Sequence, residues 1–240
     1  MSSRAVVLVA ALAAAGLTAR LGLWQLGRAD EKRALQASRD ERARLPALTA
    51  ADLARDAAAV AAQLDRRVEL SGAWVADASV YLENRSMDGR VGFFVVTPLV
   101  LDDGRTVVVQ RGWLPREAGD RTRLAPHATP PGRVALRGRI APTVSRMYQL
   151  GDASPGPIRQ NLDLADYARE LRRALAPLVV VQDDDTPGVA ADGLLRHWPQ
   201  PASDVHKNLG YAFQWFGLSA LVVILYVWFQ VIRPRRLARR

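Results

Sequence analysis

The sequence predicts an α+β membrane protein, in which two terminal transmembrane helices flank one extracytoplasmic domain with a mainly antiparallel β-sheet and two or three helices. Three observations support this fold class. Apolar runs lie near both ends of the 240-residue chain, every carboxylate falls between residues 30 and 204, and short β-branched or aromatic runs alternate with turn residues in the middle. We expect spans at residues 5–27 and 209–232, a domain at 28–205 and a basic tail at 233–240.

The second apolar run is the clearest single element. Residues 209–232 carry no ionised side chain, and about 20 apolar residues suffice to cross a bilayer as a helix with every backbone hydrogen bond satisfied. Five arginines follow within the last eight residues. Because cationic flanks are retained on the cytoplasmic side, we expect the C-terminus to be cytoplasmic.

The first apolar run, residues 5–26, is interrupted by Arg20. A cleaved signal peptide is the alternative, because Arg4 precedes a stretch of small apolar residues. The length of the run and the reach of the Arg20 side chain to the outer headgroups favour a retained anchor. With both helices retained, both termini are cytoplasmic in a multi-pass protein of the bacterial inner (plasma) membrane. The domain then lies in the periplasm, or in the equivalent mitochondrial compartment.

The distribution of charge excludes a nucleic-acid partner. The formal net charge is +9, but eight of the 33 cations lie at the spans and in the tail, which leaves 25 cations against 24 carboxylates in residues 28–205. A domain of balanced charge lacks the basic surface that DNA or RNA requires. The chain also has no cysteine, which excludes disulfides and thiolate chemistry.

The domain is predicted to mix helices with short strands. Residues 29–45 continue the first span as a polar helix, and a second helix covers Thr49 to Leu64, with Thr49 as its N-cap and Asp52 at the fourth position. A third helix covers Asp163 to Leu175, and Gly188 to Ser203 is predicted to be a loop that returns to the membrane. The predicted strands are Val68–Val75, Ser79–Asn84, Val91–Leu101, Thr106–Leu114, Arg133–Ile140 and Leu178–Gln182.

Several separated motifs occur in order along the chain. They are RLGLWQLGR at residues 20–28, NR at 84–85, TPL at 97–99, VQRGWLP at 109–115 and GYAFQWF at 210–216. Together, between two terminal spans, they resemble the surfeit locus protein 1 family from end to end. The resemblance implies an assembly factor for haem-copper cytochrome c oxidase that assists haem insertion into the large catalytic subunit and has no catalytic turnover.

The resemblance also implies a cofactor and partners. Haem, of the haem a type, is expected to bind transiently, with no other cofactor, and the partners are the catalytic subunit and other oxidase assembly proteins in the lipid bilayer. Family members commonly carry a histidine, a proposed haem ligand, three residues before the motif tyrosine, but this chain has Asn208 there. The nearest histidine, His206, is therefore the candidate iron ligand, although two residues correspond to about 200° of helical rotation.

The second span offers further candidate haem contacts. Tyr211, Gln214, Trp215 and Leu218 recur at three- and four-residue spacing and so share one helical face. That face suits a flat amphipathic ring or a partner helix, and the alternative for its two aromatic residues is an interfacial aromatic belt. The Gln214 amide requires a helix, a ligand or water, because lipid offers it no partner.

The first span carries a matching set of candidates. Arg20, Trp24 and Arg28 lie four residues apart and form a cationic and aromatic stripe at the outer end of the helix. Such a stripe serves either to neutralise the haem propionates or to anchor the helix in the headgroups. Trp24 and Arg28 therefore join the candidate haem contacts.

Two polar motifs end predicted strands. Buried guanidinium groups at strand ends commonly complete structural hydrogen-bond networks, so a structural role is the first interpretation of Asn84, Arg85 and Arg111. Contact with a partner protein is the second, and Trp113 belongs to that set. Gly112 predicts a bulge or a close backbone approach.

No catalytic constellation is visible in the sequence, and we expect the protein not to be an enzyme. His127 and His197 lie in proline-rich loops without a second ligand at metal-binding spacing. Two alternatives to haem insertion remain. One is a scaffold that stabilises an oxidase intermediate by protein contacts alone, which Asn208 favours, and the other is an unrelated periplasmic enzyme on two anchors.

Overall fold

The computed structural model describes residues 3–117, 119–120, 123–147, 156–183 and 192–237. The chain forms two compact units, one made of Met1–Ser38 with Gln200–Arg240 and the other of Arg39–Pro199. Each unit is described by itself below.

The first unit is helical. Helix α1 covers Ser3–Arg44, and α4 covers Val205–Val227 after a short 3-10 turn at Pro201–Asp204. A π-helical turn, Trp228–Ile232, leads from α4 into α5 at Arg233–Leu237. Both long helices are long and apolar enough to cross a membrane. These two candidate spans fit a membrane protein.

The second unit is built on one seven-stranded sheet. Its strands are β1 Arg67–Trp74, β2 Val80–Met87, β3 Arg90–Leu101, β4 Thr106–Pro115, β5 Arg133–Ala141, β6 Ile158–Arg159 and β7 Leu175–Gln182. The order is β1-β5-β7-β4-β3-β2-β6, and β1 also pairs with β3. That extra pairing closes β1, β5, β7, β4 and β3 into a ring, which makes the sheet barrel-like. Only β4–β7 and β2–β6 are parallel among the described pairs, so the prediction of a mainly antiparallel sheet is confirmed.

The sheet is buried on both faces near its centre. One cluster, which includes Leu70, Leu136 and Leu178, packs with the short helix α2, Ala57–Gln63. The other cluster lies on the opposite side, includes Phe94 and Trp113, and packs with Tyr167 from α3, Leu164–Leu171. Burial on both faces explains why β3, β4 and β7 are valine-rich runs without alternation.

Most predicted strands are present with small shifts at their ends, and two predicted helices need correction. The helix predicted over Thr49–Leu64 is interrupted: a 3-10 turn at Ala50–Asp52 precedes α2. The buried side chain of Leu53 occupies the break. The Gln63 side chain holds the interrupted segment in place. Its amide oxygen accepts from Ala54 N–H at 2.9 Å, and its amide nitrogen donates to the Asp52 carbonyl at 2.6 Å.

The second correction concerns α3. The helix begins after Asp163, which is its N-cap, and ends at Leu171 rather than Leu175, because Arg172 adopts a left-handed conformation with φ 51°. Strand β7 then begins three residues before the predicted start.

The two-residue strand β6 was not predicted. Part of the predicted loop Gly188–Ser203 lies outside the described residues, and its described part pairs Leu195 with Trp113 before the 3-10 turn.

Candidate functional sites in the helix pair and the sheet domain

Helices α1 and α4 meet along a seam with the spacing of a coiled coil. Their less exposed residues recur at alternating intervals of three and four, which keeps one stripe of each helix facing the other. On α1 this stripe is Ala11, Ala15, Thr18, Gly22, Gln25, Ala29, Lys32 and Gln36, and on α4 it is Val205, Asn208, Ala212, Trp215, Ser219, Val222 and Tyr226. Seven of these fifteen residues are alanine, glycine, serine or threonine, the small residues that are usual where membrane helices approach each other.

Side-chain contacts show that the two helices run antiparallel. Ser219 Oγ donates to the Ala15 carbonyl at 2.9 Å, near the middle of both spans. Toward the other end of the seam, Asn208 Nδ2 donates to Gln25 Oε1 at 2.7 Å. Between these contacts the Phe216 ring covers Gly22, where a β-carbon would come within 2.8 Å of the ring. Ala15 therefore faces residue 219 while Gln25 faces residue 208.

Asn208 is the centre of the polar part of this seam. Its carbonyl oxygen accepts from Lys32 Nζ at 2.8 Å while its amide nitrogen donates to Gln25. The residue that stands where the motif resemblance predicts a histidine is thus engaged between the helices. Gln25 lies inside the RLGLWQLGR motif but was not predicted as a site residue. A polar amide within an apolar run was the signal that could have identified it.

The candidate haem contacts fall into two groups. Trp215 lies in the seam and is half-buried, whereas Tyr211 is 53% exposed and Trp24 is 57% exposed. Gln214 and Leu218 are exposed on α4 and do not share the seam with Trp215. The three- and four-residue spacing thus spreads this predicted face from the seam to the outer surface.

Two candidate haem contacts near the polar end of the seam, His206 and Arg28, are charged or titratable, and both are exposed. His206 does not take the seam position of Asn208, as the helical rotation of about 200° between them requires. Arg28 pairs with Glu31 at 2.6 Å on the surface of α1. Exposed imidazole, aromatic and guanidinium groups therefore surround the polar end of the seam.

Arg85 is a buried structural guanidinium of the sheet domain. Its terminal nitrogens donate to the carbonyls of Glu83 at 3.0 Å, and of Ser145 and Gln160 at 2.7 Å each. Burial lowers the pKa of Arg85, although the Glu83 carboxylate opposes that shift. The Arg85 carbonyl accepts from the Trp113 indole at 2.8 Å, and Trp113 is fully buried. These contacts agree with a structural role for Arg85 and Trp113.

Asn84 differs from these neighbours because it is exposed. It adopts a left-handed conformation, φ 59°, where the pairing of β2 with β3 is irregular between Leu82 and Arg85. Asparagine tolerates this conformation better than most residues do. Of the four predicted partner contacts, Asn84 is the one whose side chain is open to another protein, and that role remains a prediction.

Arg111 lies at a β-bulge, because Val95 pairs with Gly112 and Val96 with Gln110. The bulge turns the Arg111 side chain inward, and only 1% of the residue is exposed. Its guanidinium donates to Thr129 Oγ at 2.6 Å and to the Ala128 carbonyl at 2.8 Å. The prediction of a bulge or close approach at Gly112 is confirmed, since a β-carbon there would come within 2.6 Å of Leu194 Cβ.

Two guanidinium groups share one buried carboxylate beside this bulge. Asp192 lies 3.5 Å from Arg111 and also binds Arg196, and Asp192 and Arg196 are each 5% exposed. Burial lowers the pKa of Arg111, and the nearby Asp192 carboxylate opposes that shift. The Arg111 guanidinium also lies 4.8 Å from the Trp74 ring centre. The cluster joins β4 to the segments at 128–129 and 192–196.

His127, next to the segment at 128–129, contacts neighbouring groups through both ring nitrogens. Its Nε2 lies 3.0 Å from the Tyr81 hydroxyl and its Nδ1 lies 3.1 Å from the Ala125 carbonyl. His197 instead contacts Asp88 at 2.7 Å on the surface. Neither histidine belongs to a cluster of three or more metal-ligating side chains within the described part of the chain.

Comparison with known proteins decides the family. The model of the SURF1 family, the surfeit locus protein 1 family of the motif resemblance, matches residues 12–220. This chain belongs to the SURF1 family. The match includes most of the first candidate span, half of the second and the whole sheet domain.

Relatives support the same assignment. A SURF1-like protein of Rickettsia bellii is 28% identical over 213 residues, which cover 86% of this chain and 83% of the relative. A SURF1-like protein of Rickettsia felis is 25% identical over 214 residues, covering 86% and 89%. An uncharacterized SURF1-like protein of Mycobacterium tuberculosis is 28% identical over 186 residues, covering 71% and 62%.

Proposed function

We propose that this SURF1-family protein is a membrane-bound assembly factor for haem-copper cytochrome c oxidase that assists haem insertion into the catalytic subunit. The supporting observation is the family match over residues 12–220, since membership in the SURF1 family implies a role in oxidase assembly. The proposal includes no catalytic turnover. Its partners are the catalytic subunit and other oxidase assembly proteins.

Haem is cargo in this proposal, and the exposed groups at the polar end of the seam suit it. His206 is the only histidine of the helical unit and supplies an imidazole for iron. Trp24 and Tyr211 offer aromatic surface to a flat ring, and Arg28 offers a guanidinium to the propionates. Because these side chains are exposed and not enclosed, they suit a ligand that is bound briefly and passed on.

A scaffold without haem is the second candidate function. The contacts of Asn208 favour it, because the residue at the common histidine position is hydrogen-bonded to Gln25 and Lys32. An amide in this position supplies no imidazole to iron. In the scaffold alternative the protein stabilises an oxidase intermediate by contacts alone, with exposed Asn84 as a candidate contact.

We place the protein in the bacterial inner membrane with both termini in the cytoplasm and the sheet domain in the periplasm. Two features of the chain support this orientation. Both ends carry an apolar helix, and arginines follow the second helix while acidic residues stop at Asp204.

Deletion of the gene tests the assembly role. Reduced-minus-oxidised spectra and cytochrome c oxidation rates of isolated membranes are expected to show a smaller oxidase haem band and lower activity. The intact gene, supplied on a plasmid, is the control and restores both signals. Normal spectra and rates in the deletion strain, with no second gene of this family present, contradict the proposal.

A further inference from the structure

A directional chain of hydrogen bonds crosses the seam at its polar end. The Lys32 ammonium donates to the Asn208 carbonyl, and the Asn208 amide nitrogen donates to the Gln25 carbonyl, at 2.8 and 2.7 Å. All three residues are half-buried between the helices. Asn208 thus uses its acceptor and its donor on two different turns of α1.

Apart from the Phe216 ring over Gly22, the rest of the seam contributes little to its register. Alanine, glycine, threonine and serine form most of its apolar half, and the Ser219 hydroxyl binds a backbone carbonyl, which every turn of α1 offers. Helices that meet through small residues pack almost equally well after a slip along the seam. A single polar contact is the feature that selects one register in such a pair.

The three residues alternate with the exposed haem candidates. Arg28 lies three residues after Gln25 and four before Lys32, and Tyr211 and His206 flank Asn208 on α4. A slip of one helical turn moves the groups of one helix about 5.4 Å past those of the other. The register therefore decides whether groups from both helices reach one ligand together.

We propose that Gln25, Lys32 and Asn208 form an interhelical clamp, which sets the register of the helix pair and so positions the exposed residues that receive haem. The three are positioning residues and do not touch the cargo. This inference rests on the proposed function only for its consequence, because the register itself is measurable without haem. It also requires that α1 is retained and not cleaved.

Engineered cysteine pairs measure the register directly, since the natural chain has no cysteine. The pair Ala15→Cys and Ser219→Cys matches the observed register, and the pair Ala15→Cys and Tyr226→Cys reports a shift of one heptad. The full-length protein in native membranes is oxidised with copper phenanthroline, and remaining thiols are tagged with polyethylene glycol maleimide. A protein that escapes tagging and still migrates as a monomer has formed the intramolecular bond.

Asn208→Leu removes both hydrogen bonds of the clamp and puts an apolar side chain of similar size in place of the amide. The yield of the 15–219 bond is expected to fall up to roughly tenfold relative to the shifted pair, at about threefold for each lost interhelical hydrogen bond. Asn208→Asp keeps an acceptor for Lys32 and is expected to retain most of the yield. Gln25→Met is a second variant that breaks only the Asn208–Gln25 bond.

Gln214→Leu is the matched control for cross-linking, because it makes the same amide-to-leucine change on an exposed position of α4. It is expected to leave the 15–219 yield unchanged. Equal yields for Asn208→Leu and the control, or a mature protein that lacks α1 by mass, overturn the clamp.

Oxidase assembly provides the functional readout in the same strains. Asn208→Leu is expected to lower the haem band at unchanged abundance of the protein, and Asn208→Asp is expected to preserve it. A shifted cross-link with a normal haem band overturns the positioning role. If the gene deletion itself has no effect on the oxidase, the proposed function fails while the cross-linking result still judges the clamp.

Discussion

The buried cluster of Arg111, Asp192 and Arg196 depends on its carboxylate more than on either arginine. Asp192 is the one carboxylate that contacts both guanidinium groups among the described residues. Asp192→Asn leaves two buried cations without a counter-charge and is expected to cost about 3–5 kcal/mol of stability. Arg111→Met leaves the Asp192–Arg196 pair neutral and loses two hydrogen bonds, so it is expected to cost only about 1–3 kcal/mol.

Thermal unfolding of the full-length protein in detergent compares these two variants. The fall in Tm for Asp192→Asn is expected to exceed the fall for Arg111→Met. The reverse order would mean that Arg111, through its contacts with Thr129 and Trp74, contributes more than charge balance does.

Gly92 is a second residue with a strict local requirement. A β-carbon at Gly92 would lie 2.0 Å from the Leu114 carbonyl oxygen and 2.6 Å from the Trp113 ring. Gly92→Ala is therefore expected to destabilise the protein by about 1–3 kcal/mol or to shift β3 from β4. Gly119→Ala, where nothing lies within 4 Å, is the matched control. Equal Tm values for the two variants would contradict the close approach.

The sequence indicated which residues are structurally important, but it did not indicate the residues that they contact. Guanidinium groups at strand ends predict a structural role for Arg85 and Arg111, and both groups donate to buried hydrogen-bond networks in the structure. The partners were not predictable, because Asp192 and Thr129 reach Arg111 from segments distant in sequence. Likewise, Asn208 was notable only as a departure from the family, and its bonds to Gln25 and Lys32 required knowledge of the helix seam.

Asp163 stabilises the start of α3, and its contribution depends on pH. Its carboxylate accepts from the backbone N–H groups of Ala165 at 2.9 Å and Asp166 at 3.2 Å. These backbone hydrogen bonds, and then the nearby Arg146, lower the pKa of Asp163 below its ordinary 3.8. The contribution is therefore complete above pH 3.8 and is lost as pH falls through the lowered pKa.

Substitutions at Asp163 separate the cap from its charge. Asp163→Ala is expected to cost about 0.5–2 kcal/mol at neutral pH, and Asp163→Asn is expected to cost less because asparagine also caps helices well. The difference in Tm between the natural protein and Asp163→Asn, measured at pH 7 and at several pH values below 3.8, is expected to shrink as the pH falls. A constant difference across that range would contradict the pH dependence.

Helices and strands were predictable from the sequence where local signals agreed. The predictions failed where tertiary contacts determine the local structure. The valine-rich runs located most strands, and the predicted helix over Asp163–Leu175 gave the start of α3 to within one residue. The interruption between Asp52 and α2 was not predictable, because it depends on burial of Leu53 and on the distant side chain of Gln63. The two-residue strand β6 carries too little pattern to be recognised before its partner β2 is known.

The orientation of the whole molecule is testable in the same cysteine-free background. Ser86→Cys lies at an exposed position of β2 and Arg235→Cys at an exposed position of α5. A membrane-impermeant maleimide added to spheroplasts is expected to label residue 86, and residue 235 only after the membrane is broken. The opposite labelling pattern would reverse the proposed topology.

The fold class of the whole chain was predictable, since apolar ends and a strand-rich middle gave two candidate spans and a mainly antiparallel sheet. The closure of five strands was not, because the β1–β3 pairing involves only three residue pairs, from Gly72–Leu101 to Trp74–Leu99. The family followed from separated motifs, and the match over residues 12–220 confirms it.

The ratio of haem a to catalytic-subunit polypeptide, measured in membranes of the deletion strain, tests the central claim most directly. Haem is quantified from extracted pigment and the polypeptide by immunoblot or mass spectrometry, with the complemented strain as reference. Assistance with haem insertion predicts a lower ratio, because subunit polypeptide persists without its haem. An unchanged ratio, with haem and polypeptide falling in parallel, would contradict haem insertion and support the scaffold.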